Sequence, residues 1–193
     1  MSKTQPIKNE RKLKKFRNYY RNTEYNPRNY ALIITGLNSA LRIGDLLSLH
    51  WKDVYIAEQS IYKEHLTVRE KKTGKENILA INDSTKEALE LYRKGIIHFH
   101  ENNFIFTSQK FPSEQISRSQ AFRIIKKAAA GCGLNQHISC HSLRKTFGYF
   151  AWQRGIPPAL LMSIYNHSSY EITKRYLCID QQEKDDVYLK TFL

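Results

Sequence analysis

The 193-residue sequence has few of the features that mark membrane, secreted or metal-binding proteins. No apolar run approaches the ~20 residues that a membrane span requires. The start, MSKTQPIKNERKLKK, lacks the apolar core of a signal peptide. The three cysteines, Cys132, Cys140 and Cys178, have neither CxxC nor CxxH spacing, so we predict reduced packing residues and neither a disulfide framework nor a metal site. GLNSALRIG lacks the Lys-Ser/Thr ending of a nucleotide-binding loop. These absences predict a cytoplasmic protein without a membrane or metal partner.

Negative charge is also scarce. The chain has 31 Lys and Arg against 18 Asp and Glu, a formal net charge of +13, and this balance favours a polyanion as partner. Residues 1–28 hold nine of the basic residues and only two acidic ones. We interpret residues 1–25 as a basic N-terminal arm, with a flexible solvated tail as the alternative. The interleaved Phe16, Tyr19 and Tyr20 favour contact with phosphates and bases.

The hydrophobic pattern predicts an α+β domain that is mainly helical, with one small antiparallel sheet of about three strands. Asn26-Pro27 has the composition of a helix start, and a second helix is expected to begin at the Asn38 or Ser39 cap. DVYI, EHLTVRE and NILAI have the composition of short strands, with a hairpin turn at 72–75. Capping signatures then predict helices that begin near Asn82, Ser117 and Ser168.

Four polar residues towards the C-terminal end suit the binding of one phosphate. His141 and Arg144 are three apart, His167 follows Arg144 by 23 residues, and Tyr176 comes nine residues later. A Tyr hydroxyl, with an ordinary pKa near ~10, is a competent nucleophile only if a base takes its proton and a cation stabilises the product charge. His and Arg supply both. Packing roles are the alternative for each residue, and the competing tyrosines are Tyr165, Tyr170 and Tyr188.

Together with Arg42 in ALRIGDLLSLHW and Lys72 in KKTGKE, these residues resemble the tyrosine recombinase (phage integrase) family over roughly residues 26–180. The order and spacing of the motifs carry the resemblance, since HxxR alone is a weak signal. The chain departs from the family at Tyr165-Asn166, where members usually show Leu-Gly. Its size is similar to that of stand-alone recombinases such as the fimbrial phase-switch invertases. A truncated piece of a longer integrase is the alternative, because most members also have an N-terminal helical domain that clamps DNA.

The resemblance implies a fold and a reaction. The fold is an integrase-like catalytic domain over residues 26–179, and the reaction is site-specific recombination of double-stranded DNA. Tyr176 would attack a phosphodiester, giving a 3′-phosphotyrosyl bond and a free 5′ hydroxyl without ATP, metal or another cofactor. Arg42 and Arg144 would grip the phosphate oxygens, and Lys72 would protonate the leaving oxygen.

The resemblance also implies roles for the remaining site residues. His141 would accept or orient the Tyr proton, His167 would donate a hydrogen bond to the phosphate, and Asp45 would orient the first Arg or brace the site. The basic residues expected to contact DNA are Lys12, Lys14, Lys15 and Arg17 in the arm, and Arg118, Arg123 and Lys126 on a later helix.

Residues 180–193 are the predicted C-terminal tail. In the family this segment commonly passes to the next subunit of a DNA-bound tetramer, so we expect a homotetramer on DNA and a monomer without it. Folding back on its own domain is the alternative for the tail. An accessory DNA-bending or core-binding protein would replace the clamp domain. A type IB topoisomerase-like strand transferase and a catalytically idle DNA-binding regulator are the alternative functions, and integration, excision and inversion are equally compatible outcomes.

Overall fold

The computed structural model describes residues 4–111, 113–134, 137–178, 185, 188, 189 and 191. The predicted tail therefore lies largely outside the described residues. The elements within them are α1 Glu10–Asn22, α2 Pro27–Asn38, α3 Ile43–Leu47, α4 Trp51–Val54, β1 Tyr55–Ile56, β2 Ile61–Tyr62, β3 His65–Arg69, β4 Glu76–Ala80, α5 Asp83–Arg93, α6 Arg118–Gly131, α7 Cys140–Gln153, α8 Pro158–Ile164 and α9 Tyr170–Leu177. The predicted class, mainly helical α+β, is confirmed. No helix in this part of the chain is long and apolar enough to cross a membrane.

The basic N-terminal segment, which we predicted as an arm, is packed on the domain. Helix α1 contacts α2 and α6. Phe16 and Tyr20 are buried in the core, and the Tyr20 hydroxyl donates a hydrogen bond to the Ile124 carbonyl at 3.0 Å. Ahead of the helix, the Ile7 amide donates to the Thr146 hydroxyl at 2.9 Å. The prediction that the Phe16 and Tyr20 rings meet DNA is therefore wrong, because an amphipathic helix turns its rings towards the core.

Helix α2 runs through the centre of the main core. Asn26 caps it, accepting a hydrogen bond from the Asn29 amide at 3.0 Å, and every residue from 29 to 37 is buried. The next helix, α3, begins at Ile43 and not at the predicted cap, because Asn38 instead donates its side-chain amide back to the Ile34 carbonyl at 2.8 Å. Residues 39–42 form a loop with Ala40 at φ +54°. That loop presents Arg42 at the start of α3.

The strands form two separate hairpins, where we predicted one sheet of about three strands. β1 pairs with β2 and β3 pairs with β4, both antiparallel. Ser60, at φ +55°, turns the first hairpin closely enough for two residues on each side to pair. In β3, Leu66 and Val68 point inward while Thr67 is exposed. The β3–β4 turn, residues 70–75, carries Lys72 as predicted.

Helices α7, α8 and α9 pack together at the C-terminal end of the described chain. A small second core lies between them, made of Ala40, Leu161, Tyr165 and Leu177. Helix α7 ends at Gln153, two residues before Gly155, which has φ +82°. Since Ala40 belongs to the loop before Arg42, this second core joins the α2–α3 loop to the α7–α9 layer.

Candidate active site

Tyr176 lies on α9 against two of the predicted site residues. Its ring centroid is 4.8 Å from that of His167 and 5.5 Å from that of Tyr165. The guanidinium carbon of Arg144 lies 5.8 Å from the centre of the same ring. The structure therefore brings together the predicted nucleophile, one predicted His and one predicted Arg, although α7 and α9 are separate in the chain.

Arg144 is a buried cation held by backbone oxygens. Its side chain is only 1% exposed. It donates to the carbonyls of Ala40 and Tyr165, the latter at 2.8 Å, while its Nε has no hydrogen-bond partner in the described structure. Among the described residues, no carboxylate lies within ion-pairing distance of Arg144. Because a buried unpaired cation is costly, such a group favours the arrival of an anion such as phosphate.

His167 is oriented by a buried hydroxyl that we did not predict. Its Nδ1 is 3.0 Å from Oγ1 of Thr173, which is fully buried on α9. In the tautomer in which that hydroxyl donates to Nδ1, the imidazole carries its proton on Nε2, where it is able to donate to a phosphate oxygen. Burial, followed by the charges of Arg144 and Arg42, lowers the pKa of His167 to about 4, so the ring is neutral at pH 7. Nothing in the local sequence marks Thr173 as part of the site.

Tyr165 fills the position where the family usually has Leu. Its ring stacks on His167 at 5.0 Å and lies 4.4 Å from the Arg144 guanidinium carbon. Its hydroxyl donates to the Arg144 carbonyl at 2.9 Å. Asn166 adopts φ +50°, a left-handed conformation that Asn tolerates better than most residues, and so stands in for the usual Gly. Tyr165 is fully buried and burial raises the pKa of its hydroxyl, which removes it as a competing nucleophile.

Arg42 pairs with a carboxylate that the sequence analysis missed. Its Nη1 lies 2.5 Å from Oε2 of Glu70, a side chain with 0% exposure. Burial alone would raise the pKa of Glu70, but hydrogen bonds from Thr73 and Arg42 hold it below its ordinary value. The carboxylate is therefore ionised at neutral pH. The only sequence signal for it was its place at the end of a strand, next to the hairpin turn.

Asp45 contacts the backbone of the hairpin turn. It is 2% exposed, and its Oδ1 accepts a hydrogen bond from the Lys71 amide at 3.0 Å. Its Oδ2 has no partner in the described structure. The contact of Asp45 in the described structure is with the turn, while Glu70 is the carboxylate paired with Arg42, and the role of Asp45 in the site stays a prediction.

Lys72 and His141 border the cluster. Lys72 is exposed on the β3–β4 turn, and His141 is exposed on the first turn of α7. Although His141 is exposed, the protein removes water from part of its ring, and this desolvation is the largest influence that lowers the pKa of His141. The charges of Arg144, Lys145, Arg42 and Lys72 act in the same direction. His141 is therefore neutral at pH 7 and able to accept a proton. The charge of Lys72 also reaches His167, so both residues lie within electrostatic range of the predicted site.

A second cation, Lys145, faces Tyr176 from α7. Its Nζ lies 5.7 Å from the Tyr176 ring centre and donates to the Thr4 carbonyl at 2.7 Å. Lys145 is buried, and the Cys178 sulfur is 3.6 Å from the same ammonium. Two cations, Arg144 and Lys145, therefore lie near the ring of the predicted nucleophile Tyr176.

The predicted DNA-contacting residues occupy two helices. Lys14, Lys15, Arg118, Arg123 and Lys126 are exposed, Arg17 is partly exposed, and Lys12 is partly exposed with its ammonium on the Gly133 carbonyl at 2.8 Å. The Arg118 guanidinium lies against Gly44. A Cβ added at Gly44 would stand only 2.6 Å from Nη2 of Arg118. Arg118 and Lys71 line one shallow pocket beside the Arg42 loop, so the basic surface of α6 reaches the catalytic cluster.

The described residues contain no group of three or more His, Cys, Asp or Glu side chains that could hold a metal ion. The fold places an imidazole and two cations, His167, Arg144 and Lys145, around the Tyr176 ring, an arrangement suited to the transfer of a phosphoryl group to a tyrosine. Comparison with known proteins identifies the family to which the chain belongs.

The sequence pattern of the phage integrase family matches residues 9–183. The probable integrase/recombinase YoeC of Bacillus subtilis (strain 168) is 42% identical over 184 residues, which are 95% of this chain and 94% of YoeC. The XerA recombinase crystal structure superposes with a TM-score of 0.78 at 20% identity, over 98% of this chain and 67% of XerA. The XerH site-specific recombinase, in a post-cleavage complex with a palindromic difH substrate, gives 0.76 at 18% identity, over 93% of this chain and 51% of XerH. This chain belongs to the phage integrase family, and it is a tyrosine recombinase.

Proposed function

We propose that this chain recombines double-stranded DNA at specific sites with Tyr176 as its nucleophile. The observation that supports this most directly is the convergence of Tyr176, His167 and Arg144, whose rings and guanidinium lie 4.8 to 5.8 Å apart. A phosphate held by such a cluster has a nucleophile on one side and charge stabilisation around it.

In the proposed cleavage step, a bond forms between the Tyr176 oxygen and phosphorus, and the bond from phosphorus to the 5′ oxygen breaks. The Tyr176 proton passes to the neutral imidazole of His141, and Lys72 gives a proton to the departing 5′ oxygen. Religation reverses each transfer with a 5′ hydroxyl as nucleophile. Because the phosphotyrosine keeps the energy of the broken bond, the exchange runs without ATP, and the proposed step uses no metal.

Arg42, Arg144 and the Nε2 proton of His167 would stabilise the charge that grows on the non-bridging oxygens. In the structure, Arg144 is almost fully buried and the rings of Tyr165 and Tyr176 lie over its guanidinium. A phosphate therefore reaches Arg144 only after this cover shifts. We infer that the placement of α9 controls when the site becomes active.

The exposed basic residues of α1 and α6 would hold the DNA backbone, so binding should weaken steeply with salt as counterions are released. The solved XerH complex with its difH substrate supports DNA as the partner of this fold. We propose that the chain works in the cytoplasm, on DNA, with an accessory DNA-bending or core-binding protein as a partner. We also propose that the catalytic domain spans residues 26–179, between the basic segment 1–25 and the C-terminal tail 180–193.

We also propose that the C-terminal tail, residues 180–193, passes to a neighbouring protomer of a DNA-bound homotetramer, and that the chain is monomeric without DNA. The tail is acidic at DD and apolar at VYL and FL. A groove of about 770 Å³ offers apolar and aromatic lining from Leu37, Phe147 and Phe150 and a cation, Arg154, beside the acidic Glu10. Deleting residues 185–193 should abolish strand exchange, and unchanged recombination by that truncation would rule out the exchanged tail.

Suicide-substrate trapping tests the nucleophile. The protein is incubated, without metal, with nicked DNA from its own chromosomal neighbourhood, and a denaturation-resistant adduct is sought. Native protein should form the adduct and Tyr176→Phe should not, whereas Tyr170→Phe, which alters an exposed Tyr on the same helix, should behave as native. An adduct that survives in Tyr176→Phe would reassign the nucleophile. Joining of two marked duplexes would separate recombination from topoisomerase-like relaxation of one.

A further inference from the structure

The hairpin turn that carries Lys72 is tied to Arg42 by one buried side chain. Oε2 of Glu70 accepts from Arg42 Nη1 at 2.5 Å and from the Thr73 hydroxyl at 2.7 Å. Arg42 comes from the α2–α3 loop, whereas Thr73 is the direct neighbour of Lys72 on the turn. One carboxylate oxygen therefore joins the two chain segments that carry the predicted phosphate-binding Arg and the predicted general acid.

The backbone of the same turn is also closed around Glu70. The Glu70 amide donates to the Lys75 carbonyl at 2.9 Å, and the Gly74 amide donates to the Glu70 carbonyl at 2.8 Å. Gly74 has φ +68° with open space around it, so the turn takes a conformation that glycine adopts without strain. These bonds fix the turn internally, but they do not fix where it stands relative to Arg42.

Two contacts from the turn do set its position against the α2–α3 region. One is the ion pair between Glu70 and Arg42. The other is the hydrogen bond that the Lys71 amide donates to Asp45 at 3.0 Å. Lys72 lies between Lys71 and Thr73, which are the two residues held by these carboxylates. An exposed Lys on an unsupported turn would sample many positions, so these anchors restrict where its ammonium is found.

We propose that Glu70 is a positioning residue of the recombination reaction, which sets the general acid Lys72 in place relative to Arg42 and the bound phosphate. It touches neither DNA nor the reacting atoms and acts through Thr73 and Arg42. The proposal rests on the proposed function, because it takes Lys72 as the proton donor to the 5′ oxygen.

A purely structural Glu70 would stabilise the fold without any special effect on proton delivery. The leaving group separates the two cases. When sulfur replaces the bridging 5′ oxygen of the scissile phosphate, the leaving thiolate is stable without protonation, and a defect in delivering the proton no longer slows cleavage. A defect caused by general loss of structure slows both substrates alike.

The experiment measures single-turnover adduct formation on ordinary and on 5′-thio suicide DNA. The principal variant is Thr73→Val, which removes the hydroxyl bond to Glu70 and the longer bond at 3.3 Å that the same oxygen accepts from the Lys75 amide, and leaves the Arg42 pair intact. Glu70→Ala removes both bonds, and Lys72→Ala shows the size of a complete loss of the acid. Thr67→Val is the matched control, since Thr67 is an exposed Thr on β3 of the same hairpin.

On ordinary DNA we expect Thr73→Val to be about tenfold slower and Glu70→Ala about 100-fold slower than native, in the range expected for a misplaced catalytic group. On 5′-thio DNA, Thr73→Val and Lys72→Ala should return to within about twofold of native. Glu70→Ala should recover only in part, because Arg42 has also lost its partner. Thr67→Val should match native on both substrates.

Equal losses for Thr73→Val on the two substrates would overturn the proposal, because they would indicate a structural role. Native cleavage of ordinary DNA by Thr73→Val and Glu70→Ala, or by Lys72→Ala, would overturn it as well. Absence of an adduct with native protein on both substrates would instead overturn the proposed function itself, so the two failures are distinguishable.

Discussion

Replacement of Gly148 by Ala tests whether Tyr165 is held against Arg144 as tightly as the structure indicates. Gly148 lies in the middle of α7, and a Cβ at this position would stand 2.0 Å from the Tyr165 hydroxyl oxygen and 2.9 Å from its Cζ. No side chain fits there unless the Tyr ring moves. Because that ring packs on both Arg144 and His167, its displacement should disturb the site as well as the fold.

The expected cost follows from these contacts. Overpacking of a tight core costs about 1–3 kcal/mol, and loss of the Tyr165 hydrogen bond to the Arg144 carbonyl adds about 1 kcal/mol. Gly148→Ala should therefore lower the free energy of unfolding by about 2–4 kcal/mol. For a chain of this size each kcal/mol shifts Tm by about 2–4 °C, so we expect a fall of about 4–16 °C by circular dichroism. Adduct formation below Tm should also slow.

A double-mutant cycle isolates the cause. In a Tyr165→Leu background there is no ring for the new methyl group to meet, and Ala gains about 1 kcal/mol over Gly in a helix interior. Gly148→Ala should then be neutral or slightly stabilising, which makes the coupling between the two positions at least about 2 kcal/mol. Equal costs in the two backgrounds would refute the reasoning, since they would place the effect of Gly148 elsewhere than at Tyr165.

Three further predictions follow from the pKa of His167, the packing of α1 and the surface of α6. Because the pKa of His167 falls to about 4 on folding and is near ~6.5 in the unfolded chain, the unfolded state binds more protons between these values. Stability should therefore drop as pH falls from 6.5 towards 4; urea unfolding should show a flatter pH dependence for His167→Gln, and an unchanged slope would contradict the shift. Phe16→Ala should cost about 3–5 kcal/mol because the ring is fully buried, measured by urea unfolding, whereas a change below about 1 kcal/mol would restore the picture of a separate arm. Lys126→Ala should leave stability unchanged and reduce the slope of log affinity for DNA against log salt by about 1; an unaltered slope would remove Lys126 from the DNA contact.

The sequence by itself determined the features that depend on near neighbours. The Asn26 cap forms and a helix begins after Ser117 as predicted, where Ser117 and Gln120 bond reciprocally, because each of these bonds joins residues only three apart. The β-branched composition of EHLTVRE likewise predicted a strand, and β3 covers His65–Arg69. The family and the candidate site were also readable, since they depend on the order and spacing of motifs along the chain.

Only the tertiary structure decided how distant segments meet. The Arg42–Glu70 pair spans 28 positions and the Tyr165 bond to the Arg144 carbonyl spans 21, and no local pattern distinguishes these residues from their neighbours. The composition of residues 1–25 predicted an arm. The rings of Phe16 and Tyr20 nevertheless lie in the core, because burying their apolar surface against α2 and α6 lowers the free energy of the folded chain. A helix of mixed charge and aromatic residues has two faces, and which partner covers the aromatic face is fixed only when the whole domain packs.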